Sequence, residues 1–273
     1  MTTVRIVPSE PHTASVGHAP LTAIVLAKNE ERDLGRCLEA LQWVDQLLVV
    51  DDESTDETED VARRHGAELV RRRLERFDEQ RNFALGLARH EWVLFIDADE
   101  VVPLELAREI RAVLSAPRAS VYAVRRRNWF LGRPMRHGTW KNDVQPKLGR
   151  ADAGRWENAV HETWLFPEEA ILLDAPLEHI GDLTYAERLL KSNRYSTLMA
   201  ERLHAAGTRP GRLRLLARPL WCCFKNYVLR QGFRDGRHGL VWALHVFLAE
   251  FAIEVKLWEL ATAAEGGGSP VDG

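Results

Sequence analysis

The sequence predicts an α/β fold in which a mostly parallel sheet is flanked by helices and followed by a helical C-terminal appendage. Four short apolar runs lie in the first part of the chain, and roughly twenty to twenty-five residues separate successive starts, the length of one strand-helix unit. Such runs are typical of strands buried on both faces of a parallel sheet. The predicted strands are Leu21–Ala27, Gln46–Val50, Ala67–Arg71 and Glu91–Ile96.

Helix signals occupy the intervals between these runs. A capping residue, an S-x-x-E capping box and a proline at a helix start are each typical of a first helical turn. The predicted helices are residues 30–42 after the Asn29 cap, a helix that starts with the capping box of Ser54 and Glu57 and stops at Gly66, and a helix that opens at Pro103 and continues through Leu114.

Composition and charge exclude several classes of protein. The 273 residues are 45% hydrophobic and 28% charged, as in a globular chain, and the net charge of -3 excludes a globally basic nucleic-acid binder. Three cysteines, two of them adjacent, exclude a disulfide framework and a four-thiolate metal site, so a reducing cytoplasm is expected. The first twenty residues hold three prolines and no apolar stretch typical of a signal peptide, and we expect a flexible extension there.

Acidic residues follow the second and the fourth apolar run. Because the binding crevice of such sheets lies at the carboxyl ends of the strands, we expect Asp51, Asp97 and Asp99 to converge on one edge. Asp97 and Asp99 are alternate residues that can present two oxygen ligands to Mg²⁺ or Mn²⁺, and such an ion neutralises a substrate diphosphate. Asp51 can accept a hydrogen bond from a base edge or a ribose hydroxyl. The alternative is that these residues merely cap a helix or line a solvated loop.

Four motifs, in this order and spacing, resemble those of family 2 glycosyltransferases, which have the GT-A (Rossmann-like) fold. The resemblance runs from about Leu21 to Leu260. Within the family, the sequence is most similar to the short bacterial enzymes related to the lipopolysaccharide core β-1,4-glucosyltransferase. The four motifs are IVLAKNE (24–30), VVDDESTD (49–56), QRNFA (80–84) and FIDADE (95–100), and further similar segments are RNWFLG (127–132), VHE (160–162) and NRYS (193–196).

The resemblance implies an activity and a donor site. The activity is the inverting transfer of a hexose from a nucleotide diphosphate sugar, UDP-glucose or similar, to a hydroxyl of a lipopolysaccharide-core or other cell-envelope glycan or glycolipid. The implied roles are that Asp51 contacts the base, uracil, that Asp97 lies against the ribose or a metal-bound water, and that Asp99 is the direct ligand of Mg²⁺ or Mn²⁺.

Two further segments are assigned to the donor by the same resemblance. Ala27, Asn29 and Glu30 belong to a loop that would pack beside the nucleoside. Arg81 and Asn82 would approach the donor, or alternatively would only fix their helix against the sheet.

An inverting transfer needs one carboxylate that takes the proton of the acceptor hydroxyl as its oxygen attacks the anomeric carbon. Two candidates match family segments, Glu162 in V-H-E and Asp143 in W-x-x-D, and Glu162 is preferred. Relatives carry Arg-Leu-Phe where this chain has QPKL at 145–148. Since Pro146 cannot donate to a strand ladder, we expect irregular geometry in the strand after Asp143.

The last third of the chain changes character. Thr184 and Glu187 predict the start of a long helix that ends near Ala206, and residues 209–238 then hold eight Lys or Arg side chains against the single acid Asp235. Leucine and aromatic residues are interleaved with these cations. The pattern predicts basic amphipathic helices that lie on an anionic leaflet or bind a phosphorylated lipid acceptor, with a solvated basic face as the alternative.

The segment from Leu240 to Leu260 predicts a packed or interfacial helix rather than a membrane span. Sixteen of its twenty-one residues are apolar, but it contains four charged side chains. A central charge costs roughly 2.5 to 3.5 kcal/mol on insertion into a bilayer, so four of them outweigh the apolar residues. The glycine-rich tail that follows is expected to be flexible.

These observations give an expected organisation and location. We expect an N-terminal extension (1–20), a GT-A catalytic domain (21–182), a helical basic region (183–262) and a flexible tail (263–273). The partners would be the donor, the acceptor and the inner face of the cytoplasmic membrane, to which the protein would bind peripherally, and no nucleic acid.

Two other functions remain as alternatives, a sugar-1-phosphate nucleotidyltransferase and a non-catalytic, membrane-attached nucleotide-sugar-binding module. A nucleotidyltransferase is disfavoured because Lys28, Asn29 and Glu30 occupy the place of a glycine-rich loop after the first strand.

Overall fold

The computed structural model of the protein describes residues 4–5, 19–158, 163–167, 169–181 and 184–265. The chain divides into two compact units, residues 1–127 with 143–181, and residues 128–142 with 182–273. Residues 128–142, which the expected boundaries assign to the catalytic domain, therefore pack with the C-terminal helices.

Short strands alternate with helices through the first unit, and long helices dominate the second. The strands are β1 (Val4–Arg5), β2 (Leu21–Ala27), β3 (Gln46–Asp51), β4 (Glu68–Arg71), β5 (Trp92–Asp97), β6 (Glu100–Val101), β7 (Val121–Phe130), β8 (Arg133–Pro134), β9 (Val144–Arg150), β10 (Arg155–Glu157), β11 (Thr163–Leu165), β12 (Ala170–Leu172) and β13 (Leu177–His179). The helices are α1 (Leu34–Glu39), α2 (Thr58–Arg64), α3 (Phe77–Leu85), α4 (Leu104–Ser115), α5 (Tyr185–Ala205), α6 (Arg214–Phe224) and α7 (Gly236–Glu265).

The main sheet has the strand order β1-β12-β7-β9-β5-β2-β3-β4. Strands β5, β2, β3 and β4 are parallel to one another, whereas β9 runs antiparallel to both β5 and β7. The four predicted strands and the mostly parallel, helix-flanked sheet are confirmed. Ala27 lies opposite Asp51, and Leu26 lies opposite Asp97. The ends of β3 and β5 therefore bring these two aspartates to the same edge, as the sequence predicts.

Both faces of the parallel strands β2, β3 and β5 are buried, whereas the edge strand β4 is only partly covered. Alternate side chains of β2, such as Val25, pack with α1, α2 and α4 in one cluster, while Ile24 joins Phe95, Trp156 and Trp164 in a second cluster on the opposite face. Full burial of a side chain of this size stabilises the fold by about 1.5–3 kcal/mol. The near-continuous apolar sequence of β2 follows from this double coverage.

The predicted starts of the first two helices are wrong. α1 begins at Leu34 rather than at residue 30, and α2 begins at Thr58 without a side-chain cap. Asn29 instead has a left-handed backbone (φ 54°), and its Oδ1 accepts a hydrogen bond from the Thr55 amide at 2.9 Å. The Ser54 hydroxyl donates to Asp51. The capping side chains are thus used to connect the loops after β2 and β3, which shortens both helices.

The predicted end of α2 and the predicted limits of α4 and α5 are confirmed within one or two residues, whereas α1 ends at Glu39 rather than at residue 42. α2 ends at Arg64 just before Gly66, whose φ of 72° ends the helix, and α4 follows directly on Pro103. α5 starts with the predicted capping box of Thr184 and Glu187.

Strand β9 shows the irregularity that Pro146 predicts. It pairs with β7, but the register shifts, so that Tyr122 faces Leu148 while Ala123 faces Pro146. Lys147 falls between these two pairs at a β-bulge, and its side chain is buried. The bulge therefore introduces a lysine into the interior of the first unit.

The second unit is built around α7. A small aromatic core surrounds Trp242, which packs against Phe130 and Trp140. A π-helical turn (Lys225–Leu229) and a short 3₁₀ turn (Gly232–Asp235) connect α6 to α7. Among the residues that the structure describes, no helix has the length and apolar character of a membrane span.

Candidate active site

Asp51 is a rigidly held carboxylate at the end of β3. Its side chain is fully buried. The Ser54 hydroxyl donates to Oδ1 at 2.5 Å and the Ser54 backbone amide donates to Oδ2 at 2.9 Å. These two donors satisfy both oxygens and fix the carboxylate without a cationic partner among them.

The loop after β2 is fixed to the loop after β3. The amide of Asn29 donates to the Ser54 hydroxyl at 2.8 Å, and the amide of Glu30 donates to the Thr58 hydroxyl at 2.7 Å. The carbonyl of Ala27 accepts from the Asp52 amide at 2.9 Å. The structure therefore brings the predicted residues Ala27, Asn29 and Glu30 together beside Asp51.

Asp97 lies among cations at the end of β5. Arg81 donates to its Oδ1 at 3.0 Å, and the Lys147 ammonium donates to its Oδ2 at 2.9 Å. Burial opposes ionisation of Asp97, but the charges of Lys147 and Arg81 outweigh it and hold the pKa of this carboxyl well below its usual value. Arg81 in turn lies over the Trp156 ring, 4.6 Å from its centroid.

Glu100 forms the inner wall of this ionic cluster. It is fully buried, accepts a 2.6 Å hydrogen bond from Lys147 and lies 3.5 Å from an Arg126 nitrogen. Burial, followed by the charge of Asp97, raises the pKa of the Glu100 carboxyl. Lys147 thus joins two carboxylates in the interior, where leaving any member of the cluster unpaired is costly.

Asp99 lies on the turn after β5 and has a different partner. Its Oδ2 is 3.2 Å from Nε2 of His179. The position of the histidine follows from strand pairing, because β13 pairs with β6 and His179 lies opposite Glu100. The amide of Ile180 also donates to the Asp99 carbonyl at 2.9 Å. Asp97 and Asp99 therefore have separate sets of partners despite their closeness in sequence.

Of the two candidate bases, Asp143 lies in the described part of the chain. The Asp143 carboxylate accepts from the Arg126 guanidinium at 2.9 Å and from the Gln145 amide at 3.1 Å. Burial lowers the pKa of Arg126, but the carboxylates of Glu100 and Asp143 outweigh it and raise that pKa overall. Glu162 lies outside the described residues.

Comparison with known proteins identifies the family. Residues 22–172, which are more than half of the chain, match the sequence profile described as Glycosyl transferase family 2. The chain belongs to glycosyl transferase family 2. The parallel sheet with aspartates at its carboxyl edge is the GT-A-like fold of this family-2 chain, and the helical C-terminal region follows it.

One relative and two solved structures illustrate the similarity. The lipopolysaccharide core biosynthesis glycosyltransferase LpsC of Rhizobium meliloti is 28% identical over 250 residues, which cover 88% of this chain and 92% of LpsC. The crystal structure of S. aureus TarS (1–349) covers 92% of this chain and 93% of TarS, with 16% identity and a TM-score of 0.47. Glucosyl-3-phosphoglycerate synthase from Mycobacterium tuberculosis, solved with Mn²⁺, UDP and phosphoglyceric acid, covers 40% of this chain and 43% of that protein, with 23% identity and a TM-score of 0.34.

The side chains at Asp99 are of types that can hold a divalent ion. A carboxylate oxygen and an imidazole nitrogen 3.2 Å apart are ligands that Mn²⁺ accepts. Both oxygens of Asp97 are bonded to cations. Within the described residues, no group of three or more His, Cys, Asp or Glu side chains is placed to hold a metal ion. An ion held by Asp99 and His179 would therefore take its remaining ligands from the substrate and water.

Sequence reasoning missed three of the residues in this candidate site. Lys147 and Arg126 complete the cluster around Asp97, and His179 faces Asp99. The only local signal was the proline at 146, which predicted an irregular strand but not the direction of the Lys147 side chain. Asn82 pairs with the backbone of Trp156 at 2.8 and 2.9 Å, so its observed contacts fix α3 to β10.

Proposed function

We propose that this family 2 glycosyltransferase transfers a hexose from a nucleotide diphosphate sugar, UDP-glucose or similar, to a hydroxyl of a lipopolysaccharide-core or other cell-envelope glycan or glycolipid acceptor, with inversion. The observation that carries the proposal is the arrangement of Asp51, Asp97 and Asp99 at the carboxyl edge of the parallel strands. Similarity to LpsC along most of both chains supports the class of acceptor.

Asp51 would select the base of the donor. Both of its oxygens are held by Ser54, which fixes the direction of the lone pairs that remain for a base N–H. Ala27, Asn29 and Glu30 would line the nucleoside pocket, since their backbone is held beside Asp51. Asp97 would lie against the ribose, with Arg81 fixing its orientation.

Asp99, with His179, would hold Mg²⁺ or Mn²⁺. The ion, when bound, neutralises the charge that develops on the departing diphosphate. Lys147 and Arg126 neutralise the carboxylates of Asp97 and Glu100. The negative charges of these two side chains would therefore not repel the diphosphate.

Glu162 would act as the base. The acceptor oxygen attacks the anomeric carbon, the bond from that carbon to the diphosphate oxygen breaks, and the acceptor proton moves to the carboxylate. The Asp143 carboxylate is already engaged by Arg126 and Gln145, and we therefore keep Glu162 as the proposed base. Asp143 would position Arg126 instead.

The second unit would attach the enzyme peripherally to the inner face of the cytoplasmic membrane. α6 directs Arg214 and Arg218 inward to the buried Glu254 of α7, at 2.9 and 3.1 Å. Leu216, Leu220 and Trp221 of α6 face outward instead and are 53%, 57% and 54% exposed. This inverted polarity, in a stretch with eight cations and one acid, supports contact with an anionic leaflet. In the proposed organisation residues 21–182 catalyse the transfer and residues 183–262 bind the membrane.

The products separate this proposal from its alternatives. A transferase releases free nucleoside diphosphate, whereas a sugar-1-phosphate nucleotidyltransferase releases or consumes pyrophosphate. A non-catalytic nucleotide-sugar-binding module would bind the donor but release neither product with any acceptor.

Donor binding tests the proposal directly. Binding and slow hydrolysis of a panel of nucleotide sugars would be measured with and without Mn²⁺ on the wild-type protein and on Asp99→Asn. We expect Mn²⁺-dependent binding of a UDP-sugar that weakens at least tenfold, about 1.4 kcal/mol, in Asp99→Asn. The matched control is Asp60→Asn, which changes an exposed aspartate of α2 and should bind as the wild type. Metal-independent binding that is indifferent to Asp99→Asn would remove the proposed role of this residue.

A further inference from the structure

A polar cavity of ≈ 400 Å³ lies within the second unit, between the segment that follows β8 and the turn that follows the π-helical segment. Its polar lining residues are Thr139, Lys141, Asn142, Arg230 and Gln231. The two segments are connected by a hydrogen bond of 3.0 Å from the Gly138 amide to the Arg230 carbonyl. The volume suits a single sugar, since ligand sites begin at about 300 Å³.

The rim of this cavity carries uncompensated positive charge. Lys141 and Arg230 are exposed, and in the described parts of the chain neither forms an ion pair with an acidic side chain. The one acid of the 209–238 stretch, Asp235, is buried and accepts hydrogen bonds from the ring and the amide of His137, both at 2.9 Å. The two cations are therefore available to a ligand that carries negative charge.

The backbone around the cavity is unusual in three places. Residues 225–229 form a π-helical turn, a rare feature that is frequently found at functional sites. Gln231 has a left-handed backbone with φ 59°, and Gly138 has φ 72°. A Cβ at position 138 would meet Oδ1 of Asn226 at 2.5 Å, so glycine is required there. Strain of this kind persists only where the surrounding structure maintains it.

A buried amide lies directly behind the cavity wall. Asn226 is only 2% exposed, and neither its Oδ1 nor its Nδ2 has a hydrogen-bond partner among the described residues. Leaving such a group unpaired costs about 1–3 kcal/mol. Its Oδ1 lies against the Gly138 backbone that lines the cavity. The wall behind the cavity therefore contains an unsatisfied polar group, although Asn226 itself does not line the cavity.

Other polar groups of the lining have structural partners. The Thr139 hydroxyl accepts from the Trp242 indole at 2.9 Å, and the Gln231 Oε1 accepts from Arg234 at 3.0 Å. These bonds hold the two segments in place. Lys141, Asn142 and Arg230 are left to contact a ligand, and Asn142 immediately precedes Asp143 of the W-x-x-D segment.

We propose that this cavity binds a phosphate-bearing sugar of the acceptor glycan. Arg230 would bind the phosphate through two parallel N–H donors and Lys141 would add a point charge, while the Asn142 amide would bond a sugar hydroxyl. This inference rests on the proposed transferase function and specifies the chemistry of its acceptor. A neutral sugar of the same size would leave both cations without a counter-charge.

The first test measures binding without catalysis. Glucose 6-phosphate, glucose and inorganic phosphate would be titrated into the full-length protein and followed by NMR or calorimetry. We expect glucose 6-phosphate to bind at least tenfold more tightly than glucose or inorganic phosphate. Binding should be lost in Lys141→Gln/Arg230→Gln and kept in the control Lys225→Gln/Arg237→Gln, which removes two exposed cations outside the cavity. Equal binding of phosphate and sugar phosphate, or equal loss in the control, would overturn the proposal.

The second test uses transfer kinetics once an acceptor extract supports turnover. Lys141→Gln/Arg230→Gln should raise the KM for the acceptor at least tenfold and leave the KM for the donor unchanged. Removal of the acceptor's phosphate by a phosphatase should have the same effect on the wild type and no further effect on the variant. An unchanged acceptor KM would reject the cavity site, whereas failure of Mn²⁺-dependent donor binding would reject the transferase function itself.

Discussion

At the scale of single residues, partners distinguish the two aspartates of the D-x-D motif. Asp97 is bonded to Arg81 and Lys147, whereas Asp99 faces His179. The first carboxylate is therefore compensated by the protein, and the second is compatible with an external cation. One aspartate of the motif is thus held by two cations of the protein, and the other is the proposed metal ligand.

The choice of base is tested by two substitutions that keep side-chain shape. Glu162→Gln should lower kcat at least 100-fold with donor affinity nearly unchanged, because general-base catalysis contributes about 10²–10⁴-fold. Asp143→Asn should lower kcat less, since it loosens Arg126 without removing the proposed proton acceptor. Transfer assays with UDP-sugar titration provide both values. If Asp143→Asn is the inactive variant while Glu162→Gln transfers normally, the roles must be exchanged.

At the scale of elements, α6 has an inverted polarity. Arg218 packs against Glu250 and Glu254 of α7, and an apolar stripe formed by Leu216, Leu220, Trp221 and Phe224 faces outward. An exposed apolar stripe on a helix is typical of an interface rather than of a solvated surface. The register that buries the ion pairs is the same register that exposes the apolar stripe, because both follow from one helical repeat.

Membrane binding should depend on this stripe. Leu220→Ser/Trp221→Glu should weaken binding to phosphatidylglycerol-containing vesicles at least tenfold, because it removes apolar contact and adds a negative charge near an anionic surface. Vesicle sedimentation at low and high salt measures the effect. Leu104→Glu, which alters an exposed leucine of α4 in the first unit, is the control and should bind as the wild type. Equal loss in both variants, or no loss in the first, would contradict the assignment of the stripe.

At the scale of the whole molecule, the ionic cluster connects the site to global stability. The native pKa of Asp97 is depressed, so Asp97 stabilises the fold fully above its unfolded value near 3.9, and this contribution is lost as the pH falls through the native pKa. Glu100 acts in the opposite sense, because its raised pKa means that protonation relieves the cost of burying its charge.

Asp97→Asn should therefore lower the Tm at pH 7, where it leaves Lys147 and Arg81 with less counter-charge. The Tm difference from the wild type should decrease steadily as the pH is lowered below about 4, since Asp97 is then protonated first in the unfolded chain and only at lower pH in the folded protein. Thermal unfolding between pH 2.5 and pH 7, in steps of about half a unit, provides the comparison. Asp60→Asn should show a small difference at every pH. A Tm difference for Asp97→Asn that is constant over this range would contradict the depressed pKa.

The amino-acid sequence by itself determined the parallel strands and the edge at which the aspartates meet. Apolar runs such as Leu21–Ala27 predict buried strands, because a strand that is covered on both faces needs apolar side chains at nearly every position. Asp51 and Asp97 follow these runs directly, so their convergence follows from the direction of the chain. The family motifs then added the expected chemistry.

Only the tertiary structure decided which partners the polar side chains take. Lys147 reaches Asp97 across 50 residues, and His179 reaches Asp99 across 80, through strand pairs that no local periodicity encodes. Ser54 and Asn29 are good helix caps by residue type, but the Ser54 hydroxyl bonds to Asp51 at the end of β3 and Asn29 bonds to the loop after β3. A hydrogen-bonding group can pair with any partner of suitable geometry, so its partner is determined only when distant segments of the chain pack together. The burial of an apolar run, in contrast, follows from its own composition.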